Sequence, residues 1–157
     1  MIQAEEKRGQ HAMNSPEAIS ARVEAELQVA QATVQLVHYD LRQPADNVFR
    51  EERAYYLDLC LTPRARNARA CYLEHWSPHR YERIGNVFLV PPQQAMKVRS
   101  DECSRQASIV CQLRPEPIGR CFDGELEWTD QRLKAGLDIH DNNIRNLLLR
   151  LAEELRQ

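Results

Sequence analysis

Between Thr33 and Leu113 apolar and polar residues alternate in short runs, and proline or glycine ends almost every run. Period-two alternation places residues i and i+2 on one face of an extended chain, so each run reads as a strand and each break as a turn. TVQLVHYDL carries Val34 and Leu36 and stops ahead of Gln43-Pro44. AYYLDLCL puts Tyr55, Leu57, Leu59 and Leu61 on one face before Thr62-Pro63, and NARACYLEHW is closed by Ser77-Pro78. NVFLV lies between Gly85 and Pro91-Pro92, and AMKVR sets Met96 and Val98 against Lys97 and Arg99. RQASIVCQL sets Ala107, Ile109, Cys111 and Leu113 against Ser108 and Gln112, and Ile118–Phe122 is a candidate for one more strand. Short strands spaced roughly a dozen residues apart, with no strand–helix–strand alternation, predict an antiparallel β-sandwich or barrel and exclude a doubly wound sheet.

Helical patterns flank this core. Ser15-Pro16-Glu17 offers a cap, a first-position proline and a first-turn acid, and Ile19, Val23, Leu27 and Ala30 follow at helical spacing. The spacing predicts an amphipathic N-terminal helix over 15–31, behind a leader of residues 1–14 that has no periodicity and is expected to be poorly ordered. After Trp128, Thr129 caps a segment reaching about Leu137. Asp141 then opens a longer helix in which Ile144, Leu147, Leu148, Leu151 and Leu155 form a stripe opposite Arg145, Arg150, Glu153, Glu154 and Arg156. The expected organisation is therefore a β unit over 32–124 and a C-terminal α-helical segment over 125–157.

Composition narrows the function classes. A chain of 157 residues, 43% hydrophobic and 28% charged, fits one globular domain. Its net charge of -2, with both signs interspersed, lacks the concentrated basic face that phosphate neutralisation requires. No helix-turn-helix pattern with a basic recognition helix is present, so DNA binding by these residues is not expected. No apolar run approaches the roughly 20 residues needed to span a bilayer, and the first residues lack the apolar stretch of a secretory signal. The expected compartment is the cytoplasm. The cysteines Cys60, Cys71, Cys103, Cys111 and Cys121 form no CxxC pair. Those within alternating apolar runs read as small buried hydrophobes, with a redox pair as the alternative.

No nucleophile elbow, phosphate loop or dinucleotide fingerprint occurs, and the paired acids Glu51-Glu52 and Asp101-Glu102 lie in polar, loop-like stretches. His75-Trp-Ser-Pro-His79, with Glu82 beyond it, is the nearest approach to a metal set. Its spacing does not put both histidines on one strand face, and Pro78 interrupts it. No catalytic residue, metal or cofactor is expected. A ligand in the barrel mouth is compatible with the pattern, with Tyr55, Trp76, Phe88, Met96 and Cys111 as lining and His75 as a polar anchor. That choice depends on strand register, because a one-residue slip exchanges the faces.

Arg80-Tyr-Glu-Arg-Ile-Gly-Asn-Val-Phe-Leu-Val-Pro-Pro92 resembles the turn-then-strand segment of the cupin-like N-terminal domain of AraC-type (AraC/XylS) transcription regulators. Ser108–Leu113 is similar to a later barrel strand of those domains. Leu137-Asp138-Ile139 leading into Asn143–Leu149 is similar to their helical tail. The resemblance runs from about Thr33 to Gln157, with Asn86 where relatives usually carry an acid and Gln93-Gln94 where they often carry glycine. It implies an effector-binding β-barrel of unknown effector, helices that form a homodimer through Leu147, Leu148, Leu151 and Leu155, and a DNA-binding half not contained in these residues. Two other readings stand beside it. One is a small cupin-like enzyme, for which His75, His79 and Glu82 are the first metal candidates; the other is an interaction module whose barrel holds no ligand.

Overall fold

A computed structural model describes residues 19–120 and 126–157. Nine strands and three helices follow in order: β1 (Ile19–Val29), β2 (Ala32–Leu41), β3 (Ala45–Phe49), β4 (Tyr55–Cys60), β5 (Arg69–Tyr72), β6 (Glu82–Arg83), β7 (Val87–Val90), β8 (Met96–Ser100), β9 (Ser104–Leu113), α1 (Pro115–Gly119), α2 (Asp130–Gly136) and α3 (Asn142–Leu155). A five-stranded antiparallel sheet runs β1-β2-β9-β4-β7, and a four-stranded sheet runs β3-β8-β5-β6. Among the described residues no strand pairs across the two sheets, so the β unit is an open two-sheet sandwich and not a closed barrel.

The five-stranded sheet is buried on both faces. Its inner face sends Val37, Tyr56, Phe88, Val90 and Val110 against Phe49, Ala70, Tyr72 and Met96 of the smaller sheet. Its outer face carries Val34, Leu59, Val87, Ile109 and Cys111, and these pack beneath Leu148 and Ala152 of α3. Asp141 caps α3 by accepting the Ile144 amide proton at 2.9 Å, and Thr129 caps α2 by accepting from Arg132. The helix begins beside β7, where the Ile139 amide donates to the Val87 carbonyl at 2.9 Å, and packs onward against β9 and β1. Its 14 residues span about 21 Å at 1.5 Å per residue. Five strands at about 4.8 Å spacing are about 19 Å wide, so the helix matches the breadth of the sheet.

The N-terminal helix expected over 15–31 is corrected by the structure. Ile19–Val29 is an edge strand, turned at Ala30-Gln31 onto β2, while Ser15-Pro16-Glu17 and the leader 1–14 lie outside the described residues. The step of four that joins Ile19, Val23 and Leu27 belongs to period two as well as to a helix. Ala21, Ala25 and Val29 complete an unbroken odd–even alternation that only a strand explains. A bulge at Glu24 then switches faces: Val23 pairs with the inward Val37, whereas Ala25 pairs with the outward Leu36. The strand proposed over Ile118–Phe122 is also corrected in part. Pro115–Gly119 forms a short helix with proline in its first turn, and Cys121 and Phe122 lie outside the described residues.

Candidate functional site: the space between the sheets

Strand alternation decides which side chains enter the space between the sheets. On β4, Tyr56 and Asp58 face inward while Tyr55, Leu57 and Leu59 face outward; on β9, Ser108 and Val110 face inward opposite Ile109 and Cys111. The inward face of this sheet is thus the more polar one. Its apolar counterpart is spent on α3. Asp58, 3% exposed, receives the Arg64 guanidinium at 3.1 Å and hydrogen bonds from Tyr56 at 3.4 Å and from Ser108. Tyr56 Oη lies 3.2 Å from Tyr39 Oη. Burial pushes the Asp58 carboxyl above its ordinary range against the opposing pull of Arg64, and it raises both tyrosine hydroxyls as well.

Arg64 also joins this cluster to the helical tail. Its guanidinium lies 4.9 Å from the Phe88 ring centre, while its Nε donates to the Gly85 carbonyl at 2.7 Å and Nη2 to the Asn86 carbonyl at 3.4 Å. The Gly85 amide in turn donates to the Leu137 carbonyl at 2.9 Å. A Cβ on Gly85 would fall 1.8 Å from Asp138 Oδ1 and 3.1 Å from Asp138 Cα, so glycine is required here for close approach of the turn to the α2–α3 connector. The neighbouring Pro91-Pro92 turn places Gln93 at φ 64, a left-handed conformation that glycine adopts more easily.

The smaller sheet contributes a different kind of group. Ala45, Asn47 and Phe49 alternate inward from β3, Met96, Val98 and Ser100 from β8, and Ala70 and Tyr72 from β5. Trp76 follows in the turn after β5, with its ring 5.3 Å from Tyr72 in an edge-on contact and Arg80 stacked on it at 4.3 Å. Asn47 Nδ2, Ser100 Oγ, Tyr72 Oη and Trp76 Nε1 are all buried and have no hydrogen-bond partner among the described residues. Leaving such a group unpaired costs about 1–3 kcal/mol, and buried polar atoms in folded proteins almost always find partners. All four lie on the smaller sheet or in the turn that follows β5.

Of the lining residues expected from the sequence, Trp76, Phe88 and Met96 meet between the sheets. Tyr55 and Cys111 lie on the opposite face, Tyr55 against Trp128 and Cys111 under α3, so they do not share that space. His75 is exposed and bonded to Gln94 at 2.8 Å, while its neighbour Trp76 turns inward. Burial raises the Cys111 thiol to about 11, as for a core thiol rather than a reactive one. No group of three or more potential ligands among the described residues is arranged to hold a metal ion; His79 is exposed, and Glu82 binds Arg80 and Lys134. Asn47, Tyr72, Ser100, Asp58 and Arg64 were not marked by the sequence. The available signal was the polar side of the strongest alternating runs, which conventionally reads as solvent-facing.

On the tail, Leu148 is 2% exposed and Ala152 equally buried, whereas Leu151 and Leu155 are partly covered by the same cluster. Leu147 is 58% exposed. Val23, Leu27 and Val29 of the edge strand β1 are also exposed, so four of the five large exposed apolar side chains among the described residues lie on β1 and α3. No helix there is long and apolar enough to cross a membrane. No protein-family model matches the chain, and no curated protein sequence matches it.

Proposed function

We propose that this chain is a ligand-sensing and dimerising unit of the kind that precedes the DNA-binding half of AraC-type transcription regulators, acting in the cytoplasm and carrying out no catalytic step itself. The observation that carries the reading is four buried polar groups with no hydrogen-bond partner among the described residues, all on the smaller sheet or in the turn after β5, opposite a sheet whose inward Asp58 and Tyr56 are hydrogen-bonded. A small molecule between the sheets supplies the missing partners. The resemblance of residues 80–92 and of the helical tail supports the same conclusion.

The route out of the site supports sensing rather than storage. Phe88 and Asp58 hold Arg64, Arg64 holds the Gly85-Asn86 turn, and that turn holds the connector that launches α3. A ligand that prefers one setting of Arg64 shifts the population of tail positions by its difference in affinity for the two settings. Leu147 and, on the α3 side of β1, Leu27 and Val29 form the surface for a second copy, while Leu148 remains in the core of its own subunit.

Native mass spectrometry of the purified chain tests the proposal. A metal-free dimer that retains an organic molecule, and that becomes a folded monomer on Leu147→Glu, is the expected result. A monomer carrying a stoichiometric transition metal would replace the reading with the cupin-like enzyme. A monomer with neither ligand nor metal would replace it with the ligand-free module.

A further inference from the structure

The outer face of the smaller sheet gathers cations that the sequence keeps apart. Strand alternation turns Asp46 of β3, Lys97 and Arg99 of β8, Arg69 of β5 and Arg83 of β6 away from the sandwich core. Register then sets three arginines in one row, because Arg99 is the cross-strand partner of Arg69 and Arg69 is the partner of Arg83. Asp46, opposite Arg99 on β3, closes one end of that row. The other end lies on the edge strand β6, where the Arg83 side chain is exposed and has no ion-pair partner among the described residues.

Like charges directly opposite one another on neighbouring strands are destabilising, so the row opposes folding unless anions meet it. Two carboxylates do so in part. Asp46 receives Arg99 at 3.3 Å and Lys97 at 3.5 Å, and Asp101 receives Arg69 at 3.2 Å. Four cations (Arg69, Arg83, Lys97 and Arg99) against two carboxylates leave a local charge of +2 on a chain whose net charge is -2. The Tyr81 ring centre lies 5.1 Å from the Arg99 guanidinium and 5.8 Å from that of Arg69, a contact that steadies both heads on the sheet.

The size and spacing of this charge select the partner. An excess of two is too small for nucleic acid, whose duplex carries a charge every ~1.7 Å and whose binding proteins make about 6–10 phosphate contacts. From Arg99 to Arg83 the row crosses two strand spacings, about 10 Å. An extended peptide with acids at alternate positions presents a carboxylate every ~7 Å, so two of them fall on the row and balance the excess. Asp46 and Asp101 repel carboxylates from the positions beside the row, which restricts where such a peptide lies. We propose that the outer face of the smaller sheet docks an extended acidic segment of a partner protein, with Arg83 and Arg69 as its carboxylate contacts.

Fluorescence anisotropy on the full chain tests this with three labelled probes: a peptide of alternating Glu and Ser, the same peptide with Gln in place of Glu, and an oligothymidylate of equal charge. The Glu peptide should bind saturably, more tightly than either other probe, and more weakly as salt rises. Arg83→Gln should weaken it about two- to fivefold, the loss of one exposed ion pair. Arg145→Gln, which removes an exposed cation from α3 instead, should leave it unchanged. Equal weakening by the two variants overturns the site, since it shows attraction by overall charge. Equal binding of the Glu and Gln peptides overturns the role of the arginines. Tighter binding of the oligothymidylate replaces the acidic peptide with nucleic acid, and no saturable binding by any probe overturns the docking surface altogether.

Discussion

Removing the hydroxyl of Tyr72 should make the ligand-free protein more stable. Tyr72 is fully buried, and its Oη has no hydrogen-bond partner among the described residues. In the unfolded chain water solvates that hydroxyl, and folding strips the water away without replacement, at a cost of about 1–3 kcal/mol. Tyr72→Phe keeps the ring, its edge-on contact with Trp76 and nearly all of its volume. The expected gain of about 1–3 kcal/mol corresponds, at about 2–4 °C per kcal/mol for a chain of this size, to a rise in Tm of roughly 2–12 °C. Tyr56→Phe is the matched control, because its hydroxyl is bonded to Tyr39 and to the Asp58 carboxylate. It should lose about 1–2 kcal/mol. Differential scanning calorimetry of the two variants against the parent reads both signs in one experiment. If Tyr72→Phe is destabilised like Tyr56→Phe, the Tyr72 hydroxyl is already satisfied within the protein and the argument for a ligand partner fails.

Gly85→Ala drives a methyl into Asp138 and should cost about 1–3 kcal/mol in calorimetry. Adding Asp138→Ala should recover part of that loss, because Oδ1 and Cγ are the nearest clashing atoms, and strictly additive losses would refute the contact. Leu148→Ala should cost about 2–5 kcal/mol in chemical denaturation, whereas Leu147→Ala, at an exposed site, should change monomer stability by no more than about 0.5 kcal/mol. The reverse ranking would show that α3 is seated differently. The Glu24 carboxyl is held below its ordinary range chiefly by its hydrogen bond to His38 at 2.6 Å. Its stabilising contribution is therefore present above the unfolded-state value and lost as pH falls through the folded one. An NMR titration of Glu24 should show that lowered value return to normal in His38→Ala, and an unchanged titration would refute the pairing.

Most strands of the β unit were legible because both faces of the five-stranded sheet are buried yet differ in polarity. On β9, Ala107, Ile109, Cys111 and Leu113 do lie opposite Ser108 and Gln112, as their alternation predicts. What alternation could not show is which face meets the second sheet. The apolar set faces α3, so choosing the lining from apolar alternation selected Tyr55 and Cys111 on the wrong side of the candidate site. The edge strand β1 was misread because a four-residue apolar step satisfies two periods at once. β3 was missed because Asp46 and Asn47 disguise a five-residue strand whose alternate residues are buried. The unpaired groups were invisible in principle, since pairing is a property of neighbours that only the packed sheets bring together. Caps at Thr129 and Asp141 were readable because capping is local.

The most direct test of a ligand bonded between the sheets is the indole N–H signal of Trp76, one of two tryptophans in the chain and identified by Trp76→Phe. Proton–nitrogen correlation spectra would be recorded on the purified chain before and after unfolding and refolding that removes any retained small molecule. The Trp76 indole proton should lie downfield in the chain as purified, where its donor has an acceptor, and move upfield once that molecule is removed. A Trp76 signal unchanged by the treatment would contradict a ligand bonded there.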